Sequence, residues 1–159
     1  MKITIIAVGK IKEKFYRDAI DEYSKRLSKY CKLEIKEVAD EKTPDHASDI
    51  VNAQILSKEG ERIKSFIPKD SYVIVLAIEG KKYDSVGFAD MINKAGIHGI
   101  SNITFIIGGS LGIAEEIKNA SQGRVSFSDM TFPHQLMRVI LLEQIYRGYK
   151  IISKEPYHK

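Results

Sequence analysis

Two runs of apolar residues, Tyr72–Ile78 (YVIVLAI) and Ile103–Ile107 (ITFII), constrain this chain more than any other feature. A strand without polar alternation has both faces buried, which is the condition of a parallel sheet covered by helices on each side. Ile3 to Val8, ended by Gly9, reads the same way. Between these runs the apolar period changes to three and four residues. Phe15, Ala19, Tyr23, Leu27 and Tyr30 mark one amphipathic helix with a basic outer face, and Ile50, Leu56, Gly60, Ile63 and Phe66 carry a second as far as Pro68. Leu33, Ile35 and Val38 give a further strand, and Pro44 is read as the start of the second helix. A third helix is expected from Ser85, as its N-cap, to about Gly96. A short helix over Ile113–Ala120 and a brief strand over Arg124–Phe127 follow. Strands alternating with helices specify an α/β fold on a mostly parallel sheet with helices on both faces. At 159 residues, with no linker or repeat, the chain is expected to form a single domain over 1–159.

The last helix is unusual. It is expected to start at Pro133 and to run for roughly four turns. Leu136, Met137, Val139, Ile140, Leu141, Leu142, Ile145, Tyr146 and Tyr149 fall all round its axis. Such a helix is normally covered on every side. A small domain has little interior to offer, so a second copy of the chain, a homodimer, is the expected source of cover.

Composition narrows the function classes. With 43% hydrophobic and 29% charged residues, the chain has no run near the ~20 apolar residues of a membrane span. The N-terminus meets Gly9-Lys10 too early for a signal peptide. Cys31 is the only cysteine, which fits a reducing cytoplasm. The net charge of +4 is concentrated between Lys10 and Lys36 and after Pro133, a distribution that suits a polyanionic partner such as nucleic acid. His46, His98, His134 and His158 have no metal-ligand spacing, so no metal site is expected. His134 reads as a residue that caps or donates within its own helix, and Asp129 as one that orders its loop.

Three strand ends carry small or glycine residues: Leu76–Lys81, Ile107–Gly112 and Phe127–Phe132. In open parallel sheets ligands collect at such ends. The glycine loop Gly108-Gly109-Ser110-Leu111-Gly112 lacks the GxxxxGK[ST] spacing of a phosphate loop. The first strand meets only Gly9, which argues against a dinucleotide fold and against methyltransferases with an early glycine turn. A cofactor site therefore belongs late in the chain.

The glycine loop, the string SFSDMTFPHQLMRVILLEQIYRGYKI and the terminal Pro156-Tyr157-His158 together resemble the bacterial ribosomal RNA large subunit methyltransferase H family, and Ile3–Lys10 and Leu76–Lys81 agree with it. The resemblance covers the whole chain. It implies a SPOUT-type fold with a C-terminal trefoil knot, a homodimer, S-adenosyl-L-methionine as methyl donor, and methylation of N3 of a pseudouridine in 23S rRNA of the large ribosomal subunit. It also implies donor contacts from Leu76, Gly108 and Phe127, Ser128, Asp129, Met130, Thr131 and Phe132. On that resemblance, and because the polar tail ends a helix in need of cover, Tyr157 and His158 are expected to reach the partner's donor pocket, with His158 assisting deprotonation, while Arg138, Arg147 and Lys150 hold RNA phosphates. The alternative is a non-enzymatic RNA- or ribosome-binding module that uses the basic first helix.

Overall fold

The computed structural model describes residues 1–159. Five strands, β1 (Lys2–Val8), β2 (Lys32–Val38), β3 (Tyr72–Lys82), β4 (Asn102–Ile107) and β5 (Gly123–Ser126), form one sheet in the order β2-β1-β4-β3-β5. Every pairing is parallel. The helices are α1 (Lys14–Leu27), α2 (Asp49–Phe66), α3 (Ser85–Ile97), α4 (Glu115–Ala120) and α5 (His134–Ile152).

The apolar runs fall in the middle of the sheet, where both faces need cover. Ile3, Ile5, Ile103 and Phe105 point to one side and pack with Ile20, Phe88, Ile92 and Leu141, so α1, α3 and α5 lie on that face. Ile6, Val8, Val75 and Ile106 point to the other and meet Ile63 and Ile117 of α2 and α4. Burying each such side chain contributes about 1.5–3 kcal/mol.

Several local expectations shift. Helix α2 starts at Asp49, not at Pro44, because the Ser48 side chain accepts a hydrogen bond from Val51 N at 3.3 Å and caps it. Asp84 rather than Ser85 caps α3, accepting from Gly87 N at 2.7 Å. The buried stripe of α1 runs through Ile20 and Leu27, and Phe15 is left 63% exposed. Helix α5 has 19 residues, longer than the four turns expected. Its neighbours α1 and α3 flank it, and every one of its side chains is at least partly covered by its own chain. The apolar ring is thus met mostly within one protomer.

The buried surprise is Arg138, 1% exposed. Its Nη1 donates to Glu37 Oε2 at 2.7 Å and its Nη2 to the Gly9 carbonyl at 3.1 Å. The same Glu37 oxygen accepts from Ile11 N at 3.1 Å. One guanidinium therefore joins the second turn of α5 to the ends of β1 and β2.

The end of β3 wraps closely around β5. Val125 is in register with both Leu76 and Lys81, so residues 77–80 loop past it. A Cβ on Gly80 would lie 2.7 Å from the Arg124 and Val125 backbone, a contact that fixed backbone cannot relieve. Gly80→Ala should therefore lower stability by about 1–3 kcal/mol, read as a reduced urea midpoint with an unchanged slope.

Candidate methyl-donor site

The loops that leave β3, β4 and β5 converge on a cavity of about 750 Å³ at the carboxyl edge of the sheet. Its walls include Leu76, Ile107, Ile113, Val125 and Met137, with Glu79, Ser110, Ser128 and His134 as polar groups. Its size lies within the ~300–1,000 Å³ usual for small-ligand sites. The glycine loop is a tight turn. Gly112 N donates to the Gly109 carbonyl at 3.0 Å, and Gly112 has φ +84°. A Cβ on Gly108 would sit 2.4 Å from the Gly112 carbonyl oxygen, so only glycine lets the backbone form this wall.

Of the expected donor residues, Leu76, Gly108, Phe127, Ser128, Met130, Thr131 and Phe132 all line this one cavity. Asp129 does not: its carboxylate turns outward to Lys82 Nζ at 2.5 Å. The Ser128 hydroxyl shapes the loop by accepting from Met130 N at 2.9 Å. Met130 and Ile78, 74% and 51% exposed, flank the mouth.

Two features escaped the sequence reading. His134 is no mere helix cap. It lines the cavity, and its Nε2 would lie 3.2 Å from a Cβ on Gly9. Burial, then Arg138 and Lys12, pushes its pKa below the ordinary value and keeps the imidazole neutral. Lys118 and Glu79 form an ion pair of 2.6 Å at the rim. Both follow from the path of the loops, which no periodicity reveals.

The chain matches, over residues 1–158, the family described as "Predicted SPOUT methyltransferase". It belongs to the SPOUT methyltransferase family. Two relatives called ribosomal RNA large subunit methyltransferase H, from Bifidobacterium adolescentis and Clostridium tetani, are 64% and 56% identical over 159 residues, covering 100% of each chain. A solved structure, a probable methylase family protein from Haemophilus influenzae Rd KW20, superposes with a TM-score of 0.52 at 11% identity, covering 99% of this chain and 70% of that one; it supports the fold alone. Membership of this family implies a methyl-donor cofactor. The cavity fits one, having an apolar body, a glycine turn that admits close approach, and few polar groups.

The C-terminal tail is ordered. Lys154 takes φ +54°, Lys154 N donates to the Ile151 carbonyl and Glu155 N to the Lys150 carbonyl, so α5 closes in a reversing cap. Glu155 then meets Lys150, Lys29 and the Tyr30 hydroxyl at 2.7, 3.0 and 2.8 Å. Tyr157 donates to Glu143 at 3.2 Å under the Arg147 guanidinium, and His158 Nδ1 lies 3.3 Å from Arg147. Within one chain His158 lines not the donor cavity but a neighbouring one of about 510 Å³, which shares Val125, Ser126, Phe127 and Phe132 with it.

The three cations expected to hold phosphates are all engaged within the chain. Arg138 is buried, and its charge is already met by Glu37. Arg147 is paired with Glu143 at 2.7 Å and Lys150 with Glu155 at 2.7 Å. Arg138 ties α5 to two strand ends, and Arg147 and Lys150 tie it to the tail. Burial and Glu143 raise the Tyr157 pKa to about 12, so its hydroxyl is a donor and not a base at neutral pH.

Lys150, Tyr30 and Lys29 hold the Glu155 carboxyl down at about 2, from 4.5. A depressed carboxyl supports the folded arrangement above its ordinary range and ceases to as pH falls through its own pKa. Between about pH 4.5 and 2 residues 153–159 should come loose, seen as faster hydrogen exchange confined to the tail. Glu155→Gln should show the same release at neutral pH.

Proposed function

We propose that this protein is an S-adenosyl-L-methionine-dependent methyltransferase of ribosomal RNA in the large subunit, acting on N3 of a pseudouridine in 23S rRNA. The observation that carries this reading is the convergence of three strand-end loops on one glycine-walled cavity late in the chain. The two relatives' names add the substrate class.

When bound, the donor supplies an electrophilic methyl group on a sulfonium. The chain's tasks are then alignment and exclusion of water. Leu76, Gly108 and the 127–132 loop hold the donor through backbone and apolar contact. His134, kept neutral, adds no positive charge beside a cationic donor. The imide N3–H of the acceptor must be lost for N3 to attack, and a base within reach accelerates this. His158 is assigned that role and Tyr157 the role of a hydrogen-bond donor in the same site.

His158 lies outside its own chain's donor cavity, and Ile78 and Met130 are exposed at the cavity's mouth. Both features support a homodimer in which each tail serves the neighbouring site. The same reading includes the C-terminal trefoil knot, supported by the way residues 77–80 pass around β5. A cytoplasmic location follows from the substrate. A purely RNA-binding module has no use for such a cavity.

Gly108→Val should abolish S-adenosyl-L-methionine binding in calorimetry while the protein still melts cooperatively; wild-type affinity would refute the cavity assignment. Removing Tyr157-His158-Lys159 should leave donor affinity within about twofold of wild type and reduce methylation of ribosomes by at least the 10²-fold typical of a lost acid–base group. Full turnover would rule the tail out.

A further inference from the structure

Arg138, Arg147 and Lys150 have their charges engaged within the chain by Glu37, Glu143 and Glu155. Around the donor cavity Lys82 and Lys118 are likewise paired, with Asp129 and Glu79. The β1–α1 junction is different. Lys10 and Lys12 are exposed and take part in no ion pair, and Arg17 is exposed beside them. Phe15 projects from the same turn with 63% of its surface in solvent, tilted against Tyr16 at 4.4 Å between ring centroids. A large exposed ring at this position is unexplained by the core, since the buried stripe of α1 begins at Ile20.

This junction is also rigidly held against the site. Ile11 N donates to Glu37 Oε2 at 3.1 Å and Lys12 N to Gln135 Oε1 at 2.9 Å. Arg17 Nη1 donates to the Lys12 carbonyl at 3.1 Å. Gly9 rests on His134, a wall of the donor cavity. The loop's backbone and Arg17 are spent on these anchors and Lys14 is paired with Asp18 at 2.7 Å, while Lys10, Lys12 and Phe15 are left exposed.

We propose that Lys10–Arg17 is a docking platform for a single-stranded stretch of the substrate RNA, with Phe15 stacking on an unpaired base and Lys10 and Lys12 on flanking phosphates. Stacking on an exposed ring flanked by cations is how proteins hold unpaired nucleotides. Charge favours RNA over a second copy of this chain, because a self-contact would bring these lysines and Arg17 against further cations. The proposal rests on the reading that the substrate is RNA, and it deepens that reading by placing the substrate's approach beside β1 rather than along α5.

The test uses the full chain in three forms: wild type, Lys10→Ala with Lys12→Ala, and Phe15→Ala. Binding of a fluorescein-labelled oligouridylate is followed by anisotropy over a salt series, and methylation of purified large subunits gives KM and kcat. The double lysine variant should bind RNA on the order of tenfold more weakly, and its salt slope should be shallower by about 1.4, two contacts at ~0.7 each. Phe15→Ala should weaken binding on the order of tenfold with the slope unchanged, and Phe15→Trp should restore it. In both cases KM rises while kcat and S-adenosyl-L-methionine affinity stay as in wild type. Unchanged RNA affinity and slope would overturn the platform. So would dissociation of an oligomer by Phe15→Ala with RNA affinity intact, which would make Phe15 a protein contact. If wild type methylates no ribosomal substrate, the proposed activity fails, while the oligouridylate titration still decides the platform.

Discussion

A single carboxylate oxygen, Oε2 of Glu37, organises the working edge of this molecule. It accepts from Arg138 of α5 and from Ile11 N after β1, and Arg138 in turn holds the Gly9 carbonyl. A buried arginine is costly to desolvate, and the Arg138 Nε has no partner at all. The arrangement makes sense as positioning. It fixes the second turn of α5 against two strand ends, so the cavity wall between Phe127 and Met137 and the loop after β1 are set by one cluster. Because Glu37 is partly solvated, the cluster is less a source of stability than of register.

Charge is used in the same way elsewhere. Arg147 and Lys150 hold the tail through Glu143 and Glu155, and Lys118 steadies the rim through Glu79. Arg138, Arg147 and Lys150 are therefore structural, whereas Lys10 and Lys12 are exposed and unpaired.

The sequence was most legible where periodicity acts alone. Continuous apolar runs in β1, β3 and β4 specified a parallel sheet with two covered faces, and glycine at strand ends marked the three loops that meet. It was least legible where packing between distant segments decides. Arg138 projects among the apolar residues of α5, opposite Arg147, but nothing in the helix names its partner Glu37, which lies 101 residues away. Phe15 fits the apolar stripe of α1 by spacing, but the helix has only just left the loop there and no element covers it. His134 gained its place from Gly9, and Asp129 lost its place to Lys82. Helix α5 asked for cover, and how much α1 and α3 would supply could not be read from α5 itself.

The order of the walls along the chain has a temporal consequence. Val125 takes its place between Leu76 and Lys81, and the cavity is finished only by Met137. During synthesis the strands β1 to β4 can pair before β5 exists, and α2 can cover one face of them, while the other waits for α5 to join α1 and α3. The ligand-binding surface is not complete at that stage, because its last three wall segments are the last to leave the ribosome. The cavity is then completed late, and a product that stops before β5 carries the walls from Leu76 and Ile107–Ile113 without those from Val125 to Met137.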